Sequence, residues 1–282
     1  MKNRFVGSIL GVAAMLAFAC VVLAQTAAQR GTQAVQPAPR TPDGKPDVSG
    51  VWGVPDRGGP DVDRLAREES RVMEQRYGRL ENPRPSRTPA AEMRYQYNRD
   101  PRPGYSDREE LNPAHHCVPY GPAYLITGTS GENVGGYEII QSPRRVLIIY
   151  ELDHNIRQIW MDGRGHPPDL EHTWMGDSIG RWDGDTLIVD TVGLRNEPWL
   201  DGGGNVHSKQ LRMEERYRRL DHNTMLVELT LTDPLAFTRP WTRRMYRALR
   251  NWDLAEDVRC YADSPELRNQ KEVFQLQMML GE

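Results

Sequence analysis

The sequence predicts a mainly β fold, an antiparallel up-and-down meander closing into a barrel, and three observations lead there. From Tyr137 onward the chain breaks into short runs rich in Val, Ile, Leu, Thr and Tyr. Polar turn signals separate the runs: Asp183-Gly184-Asp185 is a tight hairpin, and Asp153-His154-Asn155 and Asp221-His222-Asn223 read as two more. Nothing between the runs is both long and helical enough for a parallel crossover. A strand set of that size curls into a barrel or a two-layer sandwich.

The elements follow in order. Lys2 and Arg4 precede an apolar run from Phe5 to Leu23 that closes on Val22-Leu23-Ala24, the charged start, apolar middle and small-residue cut site of a secretory signal. Residues 1–24 are therefore expected to be a signal peptide cleaved after Ala24, which places the mature chain in the periplasm or outside the cell. The run is at the short limit for crossing a bilayer, so no membrane span is expected in the mature chain. Cys20 at the close of the run leaves a lipid-anchored N-terminus as a further option. Residues 25–46 are rich in Gln, Ala, Thr and Pro without an apolar period and read as a disordered linker. Order is expected from Asp47, with an early strand ending at Trp52, and residues 47–282 form one barrel domain. A helix and loop insertion occupies about 55–133: Val62 to Leu80 has loosely helical spacing, and Glu81 to Pro113, full of Pro and Arg, reads as a long wrapping loop.

Strands are expected at Tyr137–Gln141, Arg145–Leu152, Ile156–Asp162, Ser178–Trp182, Thr186–Val192, Gln210–Leu220, Met225–Thr232, Trp241–Leu249 and Val258–Tyr261. The closing segment Lys271 to Leu280 carries Val273, Phe274, Leu276, Met278 and Leu280, a pattern for a C-terminal helix on the barrel wall.

An early Gly50-x-Trp52 strand, a barrel and a late helix resemble the calycin superfamily of lipocalin-like small-ligand binders and enzymes. The phrases Thr41-Pro42-Asp43-Gly44-Lys45-Pro46-Asp47 leading to Ser49-Gly50-Val51-Trp52, Cys117-x-Pro119-x-Gly121-Pro122, Trp174-Met175-Gly176 and Gly180-Arg181-Trp182-Asp183-Gly184-Asp185-Thr186-Leu187 are similar to a large set of exported bacterial proteins of uncharacterised function. That likeness implies export and a β-rich fold and carries no activity.

Composition narrows the function. A net charge of -3, with 36 basic and 39 acidic residues, gives no field for nucleic acid. Walker, Gly-x-Gly-x-x-Gly and Gly-x-Ser-x-Gly patterns are missing from the sequence, which argues against nucleotide cofactors and a nucleophile elbow. Once the signal is removed, Cys117 and Cys260 remain, and in an oxidising compartment an even pair is read first as a disulfide.

In a strict meander successive connections alternate between the two ends. The Ser142-Pro143 turn and the loops 163–177, 193–208 and 233–239 would then share one rim, where barrels open and bind. Those loops carry His166, His172, His207, Asp162, Arg164, Trp174 and Trp199. Imidazoles near carboxylates are the parts of acid–base chemistry near neutral pH. His166 or His207 is expected to move a proton, Asp162 to orient it, Arg164 to steady an anion, and Trp174 and Trp199 to wall the site. His166, His172 and His207 as ligands for a divalent metal are the competing reading, unsupported by a paired motif.

The barrel lining adds Tyr150 with His154 at its edge, and Glu215, which shares a face with Leu211, Met213 and Tyr217. A buried Glu needs a partner, and Arg243 and Arg247 are placed to reach it. His154 also reads simply as a turn residue, and Glu215 as half of a structural ion pair. The expected function is a cofactor-independent lyase, isomerase or hydratase acting on a small organic or sugar-like molecule. The alternatives are a periplasmic small-ligand binder without turnover and a metal-dependent enzyme.

Overall fold

Nine strands close on themselves in chain order: β1 (Gly50–Gly53), β2 (Tyr137–Gln141), β3 (Arg145–Tyr150), β4 (Ile156–Trp160), β5 (Asp177–Asp183), β6 (Thr186–Val192), β7 (Arg212–Arg219), β8 (Thr224–Thr232) and β9 (Trp241–Arg250), with β9 pairing back onto β1. This computed structural model describes residues 35–53, 62–99, 112–113, 117–127, 136–152 and 154–254. The chain divides into two compact units, Met1–Pro37 and Ala38–Glu282, and the barrel lies in the second. The expected signal peptide, Cys20, Cys260, the strand at Val258–Tyr261 and the C-terminal helix lie outside the described residues.

The expected β runs became strands with ends moved by a residue or two, and one pairing differs. Strand directions can alternate around a closed ring only if the number of strands is even. Nine strands in sequential order therefore force one neighbouring pair to run parallel, and that pair is β4 and β5, joined through Ile159↔Ser178 and Trp160↔Ile179. All other neighbours are antiparallel. The segment after Trp160 thus travels the length of the wall before β5 begins, a crossover made without a helix.

This crossover changes which connections share an end. At the mouth lie the β1–β2 insertion, the turn around His154, the β6–β7 loop and the β8–β9 loop. At the base lie the Ser142-Pro143 turn, the Gly184-Asp185 hairpin and the 220–223 turn. The Ser142-Pro143 turn had been expected beside the long loops, and the His154 turn opposite them; the parallel pair reverses both.

Strand alternation builds the core. Inward-facing Ile139, Val146, Ile148, Tyr150, Ile159, Leu187, Val189, Tyr217, Met225 and Val227 form one buried cluster with Trp52. A second cluster of Leu211, Met213, Leu229, Leu231, Phe237 and Trp241 fills the mouth end. The Asp183-Gly184-Asp185 hairpin is formed as expected, with Gly184 at φ +56.

The insertion holds three helices among the described residues: α1 (Val62–Tyr77), α2 (Pro89–Arg99) and α3 (Pro122–Thr127). The wrapping loop expected over Glu81 to Pro113 thus contains α2. Its start follows capping rules: Thr88 is the N-cap, its hydroxyl accepting from the Ala91 amide at 3.3 Å, and Pro89 takes the first helical position. Arg250 clamps α1 to the wall through Glu69, at 3.0 and 2.5 Å. All six residues of α3 are buried, and Tyr124, Leu125 and Ile126 join the main barrel cluster. Helix α3 therefore packs against the barrel's inward-facing side chains. Residues 40–46, expected in the linker, form a turn closed by the Arg40↔Pro46 bridge.

Candidate ligand site in the barrel lumen

The alternation that buries apolar side chains also carries polar ones inside. Arg157 on β4 reaches across the lumen, donating from Nη1 and Nη2 to the two carboxylate oxygens of Glu215 on β7 at 2.9 and 2.7 Å. Its Nε donates to Ser178 Oγ at 3.1 Å and its Nη2 to Thr191 Oγ1 at 2.6 Å. The Tyr217 hydroxyl donates to Glu215 at 2.7 Å. Both charged side chains are fully enclosed, at 1% and 0% exposure. Desolvating two charges is costly, and the forked, fully bonded geometry is what makes the pair tolerable. Burial pushes the Arg157 pKa down, but the facing Glu215 carboxylate outweighs it and the guanidinium is held charged.

Three tyrosines surround this pair. Burial pushes the Tyr137 phenol up to about 12, against the opposing pull of Arg247. Burial raises Tyr150 too, against Arg157, and raises Tyr217 well above the usual phenol value with Glu215 adding to the rise. All three are neutral O–H donors near neutral pH. The Tyr137 and Tyr150 rings meet edge-on at 6.0 Å, and their buried hydroxyls make no hydrogen bond of good geometry among the described residues, with Arg247 beside the first and Arg157 beside the second.

Toward the mouth, β9 turns Arg243 and Arg247 inward, since each stands opposite a buried β8 residue, Leu229 and Met225. Arg247 Nη2 donates to the Ile126 carbonyl at 2.5 Å and the Thr127 carbonyl at 3.4 Å, tying down the C-terminal end of α3. Arg243 Nη1 is buried without a hydrogen bond and lies 3.6 Å from Asp201. Burial lowers the Arg243 pKa, Asp201 opposes the drop, and the like charge of Arg247 adds to it. Asp201 already accepts from the Gly203 amide at 2.9 Å and from the Asn205 amide and side chain.

The residues expected at one rim are distributed over separate groups. His166 lies on the crossover, outside the wall, with Nδ1 at 2.6 Å from Asp177 and Nε2 at 3.3 Å from Asp190; Arg212 forks onto Asp190 at 2.8 and 2.5 Å. Asp162 and Arg164 bind each other, and Arg164 stacks on Trp160 at 3.7 Å. Their mutual bonds hold Asp162 below the usual carboxylate range. His207 is buried, with Nδ1 at 3.0 Å from the Ser208 carbonyl, and burial lowers its pKa. His172 is exposed, and among the described residues it reaches the Lys209 carbonyl at 3.4 Å. Among the described residues no three His, Cys, Asp or Glu side chains group as metal ligands, so His166, His172 and His207 do not converge.

His154 is an exposed turn residue at φ 49, which favours its plain structural reading. Trp199 is in the core, while Trp174 is stacked under Arg195 at 4.1 Å. Tyr150 and Glu215 are inside the lumen as expected, but the partner of Glu215 is Arg157 and not Arg243 or Arg247. Sequence reasoning missed Arg157, Ser178, Thr191 and Tyr137. The run Ile156-Arg157-Gln158-Ile159-Trp160 has apolar residues on both faces, so period-2 reading did not choose between them; in the fold Ile156 is 62% exposed and Arg157 is inside.

A closed nine-stranded barrel with a polar cluster in its lumen defines a small mixed β-barrel compatible with calycin-like architecture. Comparison with protein-family models, with curated proteins and with solved structures found no match. Among the described residues no helix is long and apolar enough to cross a membrane.

Proposed function

We propose that this chain is an exported small-molecule binding protein that holds its ligand in the barrel lumen without turnover. The carrying observation is the pair of buried Tyr137 and Tyr150 hydroxyls, which make no hydrogen bond of good geometry and have only the Arg247 and Arg157 guanidinia beside them. A buried polar group left unsatisfied costs about 1–3 kcal/mol, and native structures keep few of them. An oxygen-bearing ligand would satisfy both donors. The groups an acid–base enzyme would use are already engaged: Glu215 by Arg157 and Tyr217, and both ring nitrogens of His166 by carboxylates. Cleavage after Ala24 and a Cys117–Cys260 disulfide belong to the same reading and rest on the sequence.

The test is recovery of co-purified small molecules by mass spectrometry after denaturing the exported protein, alongside the Tyr137→Phe/Tyr150→Phe double variant. The expected result is a compound released intact from the wild type and depleted in the variant. Equal recovery from both would remove the lumen from the reading. A compound released chemically altered would favour the second reading, a lyase, isomerase or hydratase, for which the His166–Asp177 contact is the supporting dyad. His166→Ala would then abolish turnover.

A further inference from the structure

We infer that the outer face of β2, β3 and β4 is a docking surface for an anionic membrane, its apolar rows lying on the lipid and its arginine edge on the phosphate headgroups. This goes beyond the lumen reading and stands on a different surface of the barrel.

The strand registers fix what this face presents. Val146, Ile148 and Tyr150 point into the core, so Leu147 and Ile149 point outward. Carried across to β2 and β4, that alternation sets Ile140 and Gln158 beside Leu147, and Glu138 and Ile156 beside Ile149. At the base end Arg145 stands beside Trp160. Five of these eight outward positions are apolar. Ile140 is 42% exposed and Ile156 62%, while Leu147, Ile149 and Trp160 are half-buried. The outer face of β7 and β8 is built the other way: of its eight outward positions, from Arg212 to Arg218 and from Leu226 to Thr232, Leu226 alone is apolar. Water does not stabilise a contiguous apolar outer wall, and patches of this kind mark contact surfaces.

Charge selects the occupant. Ser142, Pro143, Arg144, Arg145 and Trp160 line a cleft of about 580 Å³ where the face meets the base. Arg144 and Arg145 are exposed, and no carboxylate lies within ion-pair distance of either among the described residues. Arg164 covers the Trp160 ring at 3.7 Å and is itself paired with Asp162. Glu138, toward the mouth, is the one carboxylate among the eight outward positions. Two uncompensated guanidinia at the edge of an apolar wall match phosphate oxygens above hydrocarbon, and the planar guanidinium fork suits phosphate. Trp160 fits the boundary, since an indole favours the level where headgroups meet acyl chains. Attraction to an anionic leaflet adds to the burial of apolar surface, so the two parts of the face reinforce each other. A second copy of this chain fits less well, because it brings the same unpaired cations to the contact.

The test floats the exported protein with vesicles of phosphatidylcholine alone and of phosphatidylcholine with one-third phosphatidylglycerol, at pH 7. Partition onto the anionic vesicles is expected to be at least ten-fold greater at low salt and to fall at high salt. Arg144→Gln/Arg145→Gln and Ile140→Ser/Ile156→Ser are each expected to lower it at least five-fold. All four side chains are exposed, so both double variants should keep the wild-type circular dichroism and Tm. Equal partition onto the two vesicles, or binding that neither double variant changes, would overturn the docking face; attachment through residues before Gln25, common to all three proteins, gives that second result. Sedimentation showing a dimer that Ile140→Ser/Ile156→Ser dissolves would overturn it too and assign the face to a second copy. Recovery of a lumen ligand is independent of these outcomes, so failure here leaves the binding barrel standing.

Discussion

Replacing Glu215 by Leu tests the central energetic reasoning. The substitution removes three hydrogen bonds, two from Arg157 and one from Tyr217, and leaves the guanidinium enclosed without a counter-charge. Breaking a buried pair from one side costs about 3–5 kcal/mol, whereas replacing both partners by apolar groups is often neutral. Arg157→Met is expected to cost a similar amount for the mirror reason. The double variant Arg157→Met/Glu215→Leu should recover much of the loss, because no charge is then left enclosed and Ser178 and Thr191 already bond each other at 3.0 Å. At about 2–4 °C per kcal/mol for a domain of this size, each single change lowers Tm by roughly 6–20 °C. Urea denaturation of the four proteins at pH 7 closes the double-mutant cycle. Single variants costing under about 1 kcal/mol, or strictly additive losses, would refute the pair as an enclosed and mutually dependent unit.

Other expectations follow from the same physics. Burial depresses the His207 pKa in the fold, so the unfolded chain binds more protons; the stability this contributes is present above the ordinary histidine pKa of about 6.5 and is lost as pH falls below it. His207→Gln should flatten the decline in urea stability between pH 7 and pH 5, and an unchanged slope would contradict the assignment. Tyr150→Phe removes a hydroxyl that makes no hydrogen bond of good geometry and should leave thermal stability equal or slightly raised, where a well-bonded hydroxyl would show a loss of about 1 kcal/mol. Gly176 sits at φ +67 with the Val192 carbonyl 2.6 Å from where a Cβ would stand, so Gly176→Ala should destabilise by about 1–3 kcal/mol in thermal melts. Reduction of the exported protein should lower Tm if Cys117 and Cys260 are joined, the closed loop being worth about 5 kcal/mol in the chain-entropy model, and a mass unchanged by reduction would rule the bond out.

The strand runs were legible because β-branched and aromatic residues recur between sharp turn signals. The Asp183-Gly184-Asp185 hairpin and the shared face of Met213, Glu215 and Tyr217 were readable for the same reason. The parallel β4–β5 pair was hidden because period 2 gives a strand's faces and not its direction; the constraint lay in the parity of a closed ring. Misplacing that one pair moved two turns to the wrong ends and drew His166, Asp162 and Arg164 into a shared rim. Arg157 escaped notice because its strand is apolar on both sides. Helix α3 is only six residues, too short to announce itself by periodicity, yet all six are buried.

The two-rung contact between β4 and β5 makes the wall two open sheets sewn along two lines. One sheet, β5 to β9, is contiguous in sequence with local connections throughout; the other, β1 to β4, waits on a long excursion before β1 meets β2. Loop-closure entropy therefore favours assembly of the later sheet first, with the cylinder shutting only when β1 finds β9 and β4 finds β5. Amide exchange should then reveal the sparse line between Ile159 and Ser178 as the place where the closed cylinder first comes undone.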